Sequence, residues 1–160
     1  LYTLRRFHAS AGLHRIDALL RALGQPQKRF PSVHIAGTNG KGTVSSLVAS
    51  VLTEAGYNVG LYTSPHILRF NERIRINGTE VSDEELLQLV RELMPLVIEE
   101  NGTFFEAATA LAFQYFADSN VDIAVIETGL GGRLDATNIL APDDVLVSAI
   151  TSIDYDHTEY

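Results

Sequence analysis

The chain has 160 residues, 46% hydrophobic and 20% charged, with no cysteine and a net charge of −8. That is one domain's length with enough apolar content for a core. The lack of cysteine excludes a disulfide framework, a thiolate metal site and a cysteine nucleophile, and it fits a reducing cytoplasm. The acidic balance disfavours broad contact with a nucleic-acid backbone, and no apolar run reaches the roughly 20 residues of a bilayer span, so neither nucleic acid nor membrane is an expected partner.

In chain order, Leu13, Ile16, Leu19, Leu20 and Leu23 recur at helical spacing, and Gly24 and Pro26 stop that helix. Ser32–Ala36 is a short apolar strand running into Gly37-Thr-Asn-Gly-Lys-Gly42. A helix over 43–55 follows, with Val44, Leu47, Val48, Val51 and Leu52 expected inward and Gly56 just past its end. Residues 58–62 read as the next strand, completing a β-loop-α-β unit with parallel strands. Ser64-Pro65 breaks that strand, and a polar loop leads to Ile74 and Ile76, which alternate with Arg75 before the hairpin signal Asn77-Gly78. Ser82 with Glu85 three residues later is a capping box, and Pro95 is expected to kink or end the helix it opens. An alanine-rich helix over 104–116 precedes a buried strand over 122–127, and Val145–Ile150 reads as another buried strand. The alternation predicts a doubly wound, mostly parallel α/β sheet with a small hairpin insertion. Ligands of such sheets sit beyond the carboxyl ends of the strands, where each polar cluster falls.

The segment Gly37–Thr43 joins a strand to a helix. Its glycines let successive N–H groups converge on an anion, and the helix start adds unpaired donors and a positive dipole end. Lys41 brings a mobile charge, and the Thr43 hydroxyl suits a Mg²⁺ ion. The common phosphate-loop spacing is not fully met: Ile35 stands where its first glycine belongs, and Gly42 intervenes between Lys41 and Thr43.

Glu127 ends an apolar strand, where a lone carboxylate needs a metal or a cation. Mg²⁺ is one expectation, and an ion pair with Arg133 is the structural alternative. Asp156-His157 follows the last strand, with the imidazole a candidate metal ligand and the aspartate its orienter. Ser64 is a further candidate at a strand end. His34, inside a strand, is expected to be a packed core residue, and His8 and His14 carry no assigned chemistry.

Taken together, Gly37–Thr43, Ser64-Pro-His66, the run 69–74, Thr103-Phe-Phe-Glu106, the stretch 127–138 and Asp156-His157 resemble, in order and spacing, the folylpolyglutamate and dihydrofolate synthase family of the Mur ligase superfamily. The extra Gly42 is typical of that branch. The resemblance implies an ATP-dependent ligase that joins L-glutamate to dihydropteroate or a folate through an acyl phosphate. It implies that Gly37, Thr38, Asn39, Gly40, Lys41, Gly42, Thr43 and Asn138 bind nucleotide. Lys41, Glu127 and His157 would be catalytic, and Thr43, Ser64, Glu127 and His157 would serve two Mg²⁺ ions. Phe105, Asp135 and Ala136 would line a pterin site beside a closing loop over 65–73. No specific protein partner is implied. Family members also carry a C-terminal glutamate-binding domain and a carbamoylated lysine ligand beyond the Asp-His pair. Residues 1–160 are therefore expected to be the ATP-binding part alone, inactive by itself. Alternatives are another Mur-type ligase, against which Gly42 and Phe104-Phe105-Glu106 argue, and a nucleotide switch that ligates nothing.

Overall fold

The computed structural model describes residues 1, 3–4 and 12–155. Its elements are α1 (His14–Ala22), β1 (Ser32–Ala36), α2 (Lys41–Glu54), β2 (Val59–Tyr62), β3 (Ile74–Ile76), β4 (Thr79–Glu80), α3 (Asp83–Glu99), α4 (Phe104–Asp118), β5 (Ile123–Glu127) and β6 (Val145–Ile150). The strands form one sheet in the order β4-β3-β2-β5-β1-β6. β2, β5, β1 and β6 are parallel, and the β3-β4 hairpin is added antiparallel at the β2 edge. Asn77 and Gly78 both take positive φ, 49° and 80°, as a two-residue hairpin turn matching strand twist requires.

Strand alternation divides the core in two. Val33, Ile35, Val59, Leu61, Ile123 and Val125 face α2, while Tyr62, Ala124 and Ile126 face α1, α3 and α4. The Ser82–Glu85 capping box forms as expected, and Thr103 with Glu106 builds a second one at the start of α4. Both Glu106 carboxylate oxygens also accept from Arg15 Nε at 3.1 Å, so a buried ion pair ties α1 to α4.

Three expectations are corrected. α3 runs through Pro95 to Glu99, so the proline does not end it. The proline ring lies on the exposed side while Leu89, Leu93 and Val97 bury the opposite face, and that packing outweighs the missing hydrogen bond. On α2, Ser45 and Ala49 are the buried positions, with Val44, Val48 and Leu52 partly buried beside them. Leu47 and Val51 face solvent at 61% and 68% exposure, because small residues against the sheet rotate the longer ones away. β6 is an edge strand, not a buried one, and Leu146, Val147 and Ile150 are exposed.

Candidate active site

The three central parallel strands end side by side. β5 lies between β1 and β2, so Glu127 at its end has the phosphate loop on one side and Ser64 on the other. α2 begins two residues earlier than expected, at Lys41, with Gly40 at φ 82° as its cap. Its first internal bond is Val44 N to Gly40 O, so the amides of Lys41, Gly42 and Thr43 precede the helical ladder and can meet an anion. The amides of Thr38 and Asn39 instead donate to Ser152 O, at 2.8 and 3.4 Å. Thr38 Oγ1 also donates to Asp154 O and accepts from Asp154 N, both at 3.0 Å. The chain after β6 is thereby fastened along the loop. Gly37 has φ 135°, and a β-carbon there would strike the Thr151 side chain, so glycine is required. Lys41 Nζ donates to Gly37 O at 2.7 Å and Thr38 O at 3.2 Å, which keeps the ammonium over the loop. Thr43 is exposed on the first turn of α2.

Glu127 is buried, and its Oε2 accepts the Ser64 amide at 2.9 Å. Its other oxygen faces Gly42, 3.5 Å from where a β-carbon would stand. Burial pushes the carboxyl above its ordinary range, while the Ser64 amide and the charges of Lys41 and Arg73 oppose that rise. These neighbours, not Arg133, balance Glu127; Arg133 stands exposed. A cleft of about 190 Å³ opens here, lined by Gly42, Ser46, Thr63, Ser64, Arg75 and Glu127 with the wall of the following loop. That loop is fixed by Glu72, whose carboxylate accepts the amides of Ile67, Leu68 and Arg69 at 2.7–2.8 Å. Those bonds hold its pKa down at about 2. A buried carboxylate oxygen beside hydroxyl-bearing Ser64 and the first turn of a helix is a hard, oxygen-only donor set, which fits Mg²⁺ held jointly with phosphate. Asp156 and His157 lie outside the described residues, and among the described residues no cluster of three His, Asp or Glu could hold a metal without a ligand's help.

The opposite face of the same rim is aromatic. Phe105 lies over Gly129, where any side chain would collide with its ring, and its centroid is 6.2 Å from that of Tyr62. Arg73, which sequence reasoning passed over, is buried between Phe70 and Phe104, 5.9 and 5.4 Å from their centroids, and donates through Nε to His66 Nδ1 at 2.8 Å. Ala136 is buried and packs into the α4 core. Asp135 caps the turn Ala136–Ile139: it accepts Leu130 N at 2.8 Å, Thr137 N at 3.0 Å and Thr137 Oγ1 at 2.6 Å. Asn138 is exposed, its side-chain amide on Arg133 O. His34 is no packed core residue. Its Nε2 lies 2.8 Å from Thr137 Oγ1 and 3.1 Å from Thr128 Oγ1, and burial holds its pKa below the ordinary value against the pull of Asp135. The signal in the sequence was alternation: Val33 and Ile35 claim one face of β1, leaving His34 on the other, toward the glycine-rich loop.

Residues 35–160 match the family model of the Mur ligase middle domain. The chain is 48% identical over 159 residues to the dihydrofolate synthase/folylpolyglutamate synthase of Bacillus subtilis, covering 95% of this chain and 36% of that protein. An Escherichia coli FolC structure in complex with DHPP and ADP superposes with TM-score 0.90 at 39% identity, over 98% of this chain and 37% of that one. A bifunctional folylpolyglutamate synthase/dihydrofolate synthase with Mn, AMPPNP and L-glutamate bound gives TM-score 0.87 at 41% identity, over 96% and 37%. The chain thus spans just over a third of the length of these relatives. With its rim geometry and this match over most of its residues, the chain belongs to the Mur ligase middle-domain family.

Proposed function

We propose that this chain is the nucleotide- and acid-binding part of an ATP-dependent ligase that joins L-glutamate to dihydropteroate, a folate or both. The observation that carries the reading is Glu127, a buried carboxylate set between the first turn of α2 and the Ser64 amide, with an aromatic wall on the other side of the same rim. The similarity to relatives named for this activity supports it.

The γ-phosphoryl group of ATP passes to the carboxylate of the pterin acid: its bond to the ADP oxygen breaks and a new P–O bond forms. The amine of glutamate then attacks the acyl carbon, forming the amide and releasing phosphate, with the amine proton lost to solvent or phosphate. Phosphoryl transfer between anions calls for cations and oriented donors more than for a base. The free amides at 41–43 and Lys41 bind the β/γ-phosphates. Glu127, with Ser64, Thr43 and His157, would hold up to two Mg²⁺ ions, which would offset charge on the phosphates. Phe105 and the turn that Asp135 caps receive the flat ring, and the Glu72-bound loop at 67–69 shields the cleft from water. No helix among the described residues is long and apolar enough to cross a membrane. On a separate ground, the lack of cysteine, which fits a reducing compartment, we assign the protein to the cytoplasm.

The test is phosphate release by the full-length protein with ATP, Mg²⁺, dihydropteroate or tetrahydrofolate, and glutamate. Release that needs both acid and amine supports ligation. Release indifferent to both would replace this reading with a nucleotide switch.

A further inference from the structure

The glycine-rich stretch 129–132 joins Glu127 to the turn carrying Asp135 and Ala136, and Gly131 sits at φ 69°. Its local bonds, Leu130 N to Asp135 Oδ2 and Asp135 N to Gly132 O, tie the loop to itself, and Thr128 N donates to Ile35 O on β1, but none of these bonds fastens the far end of the loop to the sheet. Two buried hydroxyls flank it, Thr128 and Thr137, and both meet a single atom, Nε2 of His34 on β1. The donor inventory fixes how they meet. A hydroxyl has one proton, and that of Thr137 goes to the Asp135 carboxylate, which can only accept. Thr137 Oγ1 must therefore accept from His34, which places the imidazole proton on Nε2 and leaves Thr128 sharing the same N–H. The bonds run in one direction, from imidazole N–H to threonine hydroxyl to carboxylate, and each polarises the next. β1 leads three residues later into the phosphate loop, so this tie sets the position of one ligand-binding loop against the other.

We propose that His34 is a positioning residue: its Nε2–H pins both ends of the glycine-rich loop to the strand of the phosphate loop and so holds Asp135, Ala136 and the Gly129 floor under Phe105 in place for the acid substrate. The substrate rests on the function proposed above; the pinning does not.

Two variants of the full-length protein separate the tie from mere packing. In His34→Gln the side-chain amide reaches the place of Nε2 and still donates, whereas in His34→Asn it stops near the place of Nδ1. The Asn variant is expected to raise the KM for the pterin acid about tenfold or more, with kcat and the Kd for ADP nearly unchanged, because misplacing a binding loop costs that much. The Gln variant should return KM to within about threefold of the original protein. Equal KM in all three proteins, or equal damage in Gln and Asn, would overturn the proposal. If the full-length protein ligates no acid, the function fails and the pinning is still decided by two other measurements. Nitrogen NMR of ring-labelled histidine must show His34 protonated on Nε2, and the Leu130 and Thr137 amides must exchange faster in the Asn variant than in the Gln variant. A proton on Nδ1 alone, or identical exchange in both, refutes it.

Discussion

Glu127 concentrates the conflict at the residue scale. Burial favours its neutral form, yet a metal-binding role needs the carboxylate. Because the folded-state pKa is raised, the folded chain keeps its proton to higher pH than the unfolded chain, whose value is the ordinary 4.5. Stability without metal therefore falls as pH rises from about 4.5 through the folded value, and the loss persists above it. Glu127→Gln should raise the melting temperature in metal-free buffer at pH 7 while weakening Mg²⁺-dependent ATP binding by about tenfold or more. Thermal melts with and without Mg²⁺, alongside nucleotide titrations, measure both. A variant with unchanged metal dependence removes Glu127 from the site. That an acid would end β5 was legible from the sequence. Its neighbours were not: Arg133 is only six positions away, but the amide and cations that act on Glu127 come from Ser64, Lys41 and Arg73.

At the scale of elements, two glutamates each hold a segment together by accepting several donors. Glu106 takes the Thr103 amide at 2.7 Å, the Thr103 hydroxyl at 2.8 Å and Arg15. Glu106→Ala removes a helix cap and the buried carboxylate that faces the Arg15 guanidinium, so a loss of about 3–5 kcal/mol in denaturant unfolding is expected. A loss below about 1 kcal/mol, the size of a cap alone, would show that Arg15 finds another acceptor. Glu72 is half-buried and organises 67–69 through three backbone bonds. Its depressed pKa means the tie is complete above about 4.5 and is lost as pH falls toward about 2. Hydrogen exchange at Ile67 and Leu68, corrected for intrinsic rates, should stay slow at pH 5 and become fast near pH 2, with Glu72→Gln fast at both. Slow exchange in the variant would mean that other contacts order the loop. The Ser82 capping box and the Asn77-Gly78 turn were readable because a few adjacent residues decide them. Pro95 does not end α3 because the energy that carries the helix past it comes from α1 and α4.

Over the whole molecule, the small hairpin stands at one edge of the sheet and β6 at the other, where, among the described residues, no further strand pairs and Leu146, Val147 and Ile150 are exposed. An apolar edge strand with unpaired backbone groups is a template for pairing with another chain. The 160-residue chain is expected to self-associate, and Val147→Lys should reduce this in sedimentation velocity; identical distributions for both proteins would count against the edge as the cause. The sequence by itself determined the order of strands and helices, the phosphate loop with Lys41, the strand-end acid and the aromatic pair at 104–105. These are local patterns, set by periodicity, glycine and capping within a few residues. Only the tertiary structure decided which strand became the edge, which side of α2 turned outward, and that Ser64, Gly42 and Glu127 share one cleft while His34 reaches across to Thr128 and Thr137. Those outcomes depend on strand order and on contacts between residues some twenty to a hundred positions apart, which no window along the chain contains.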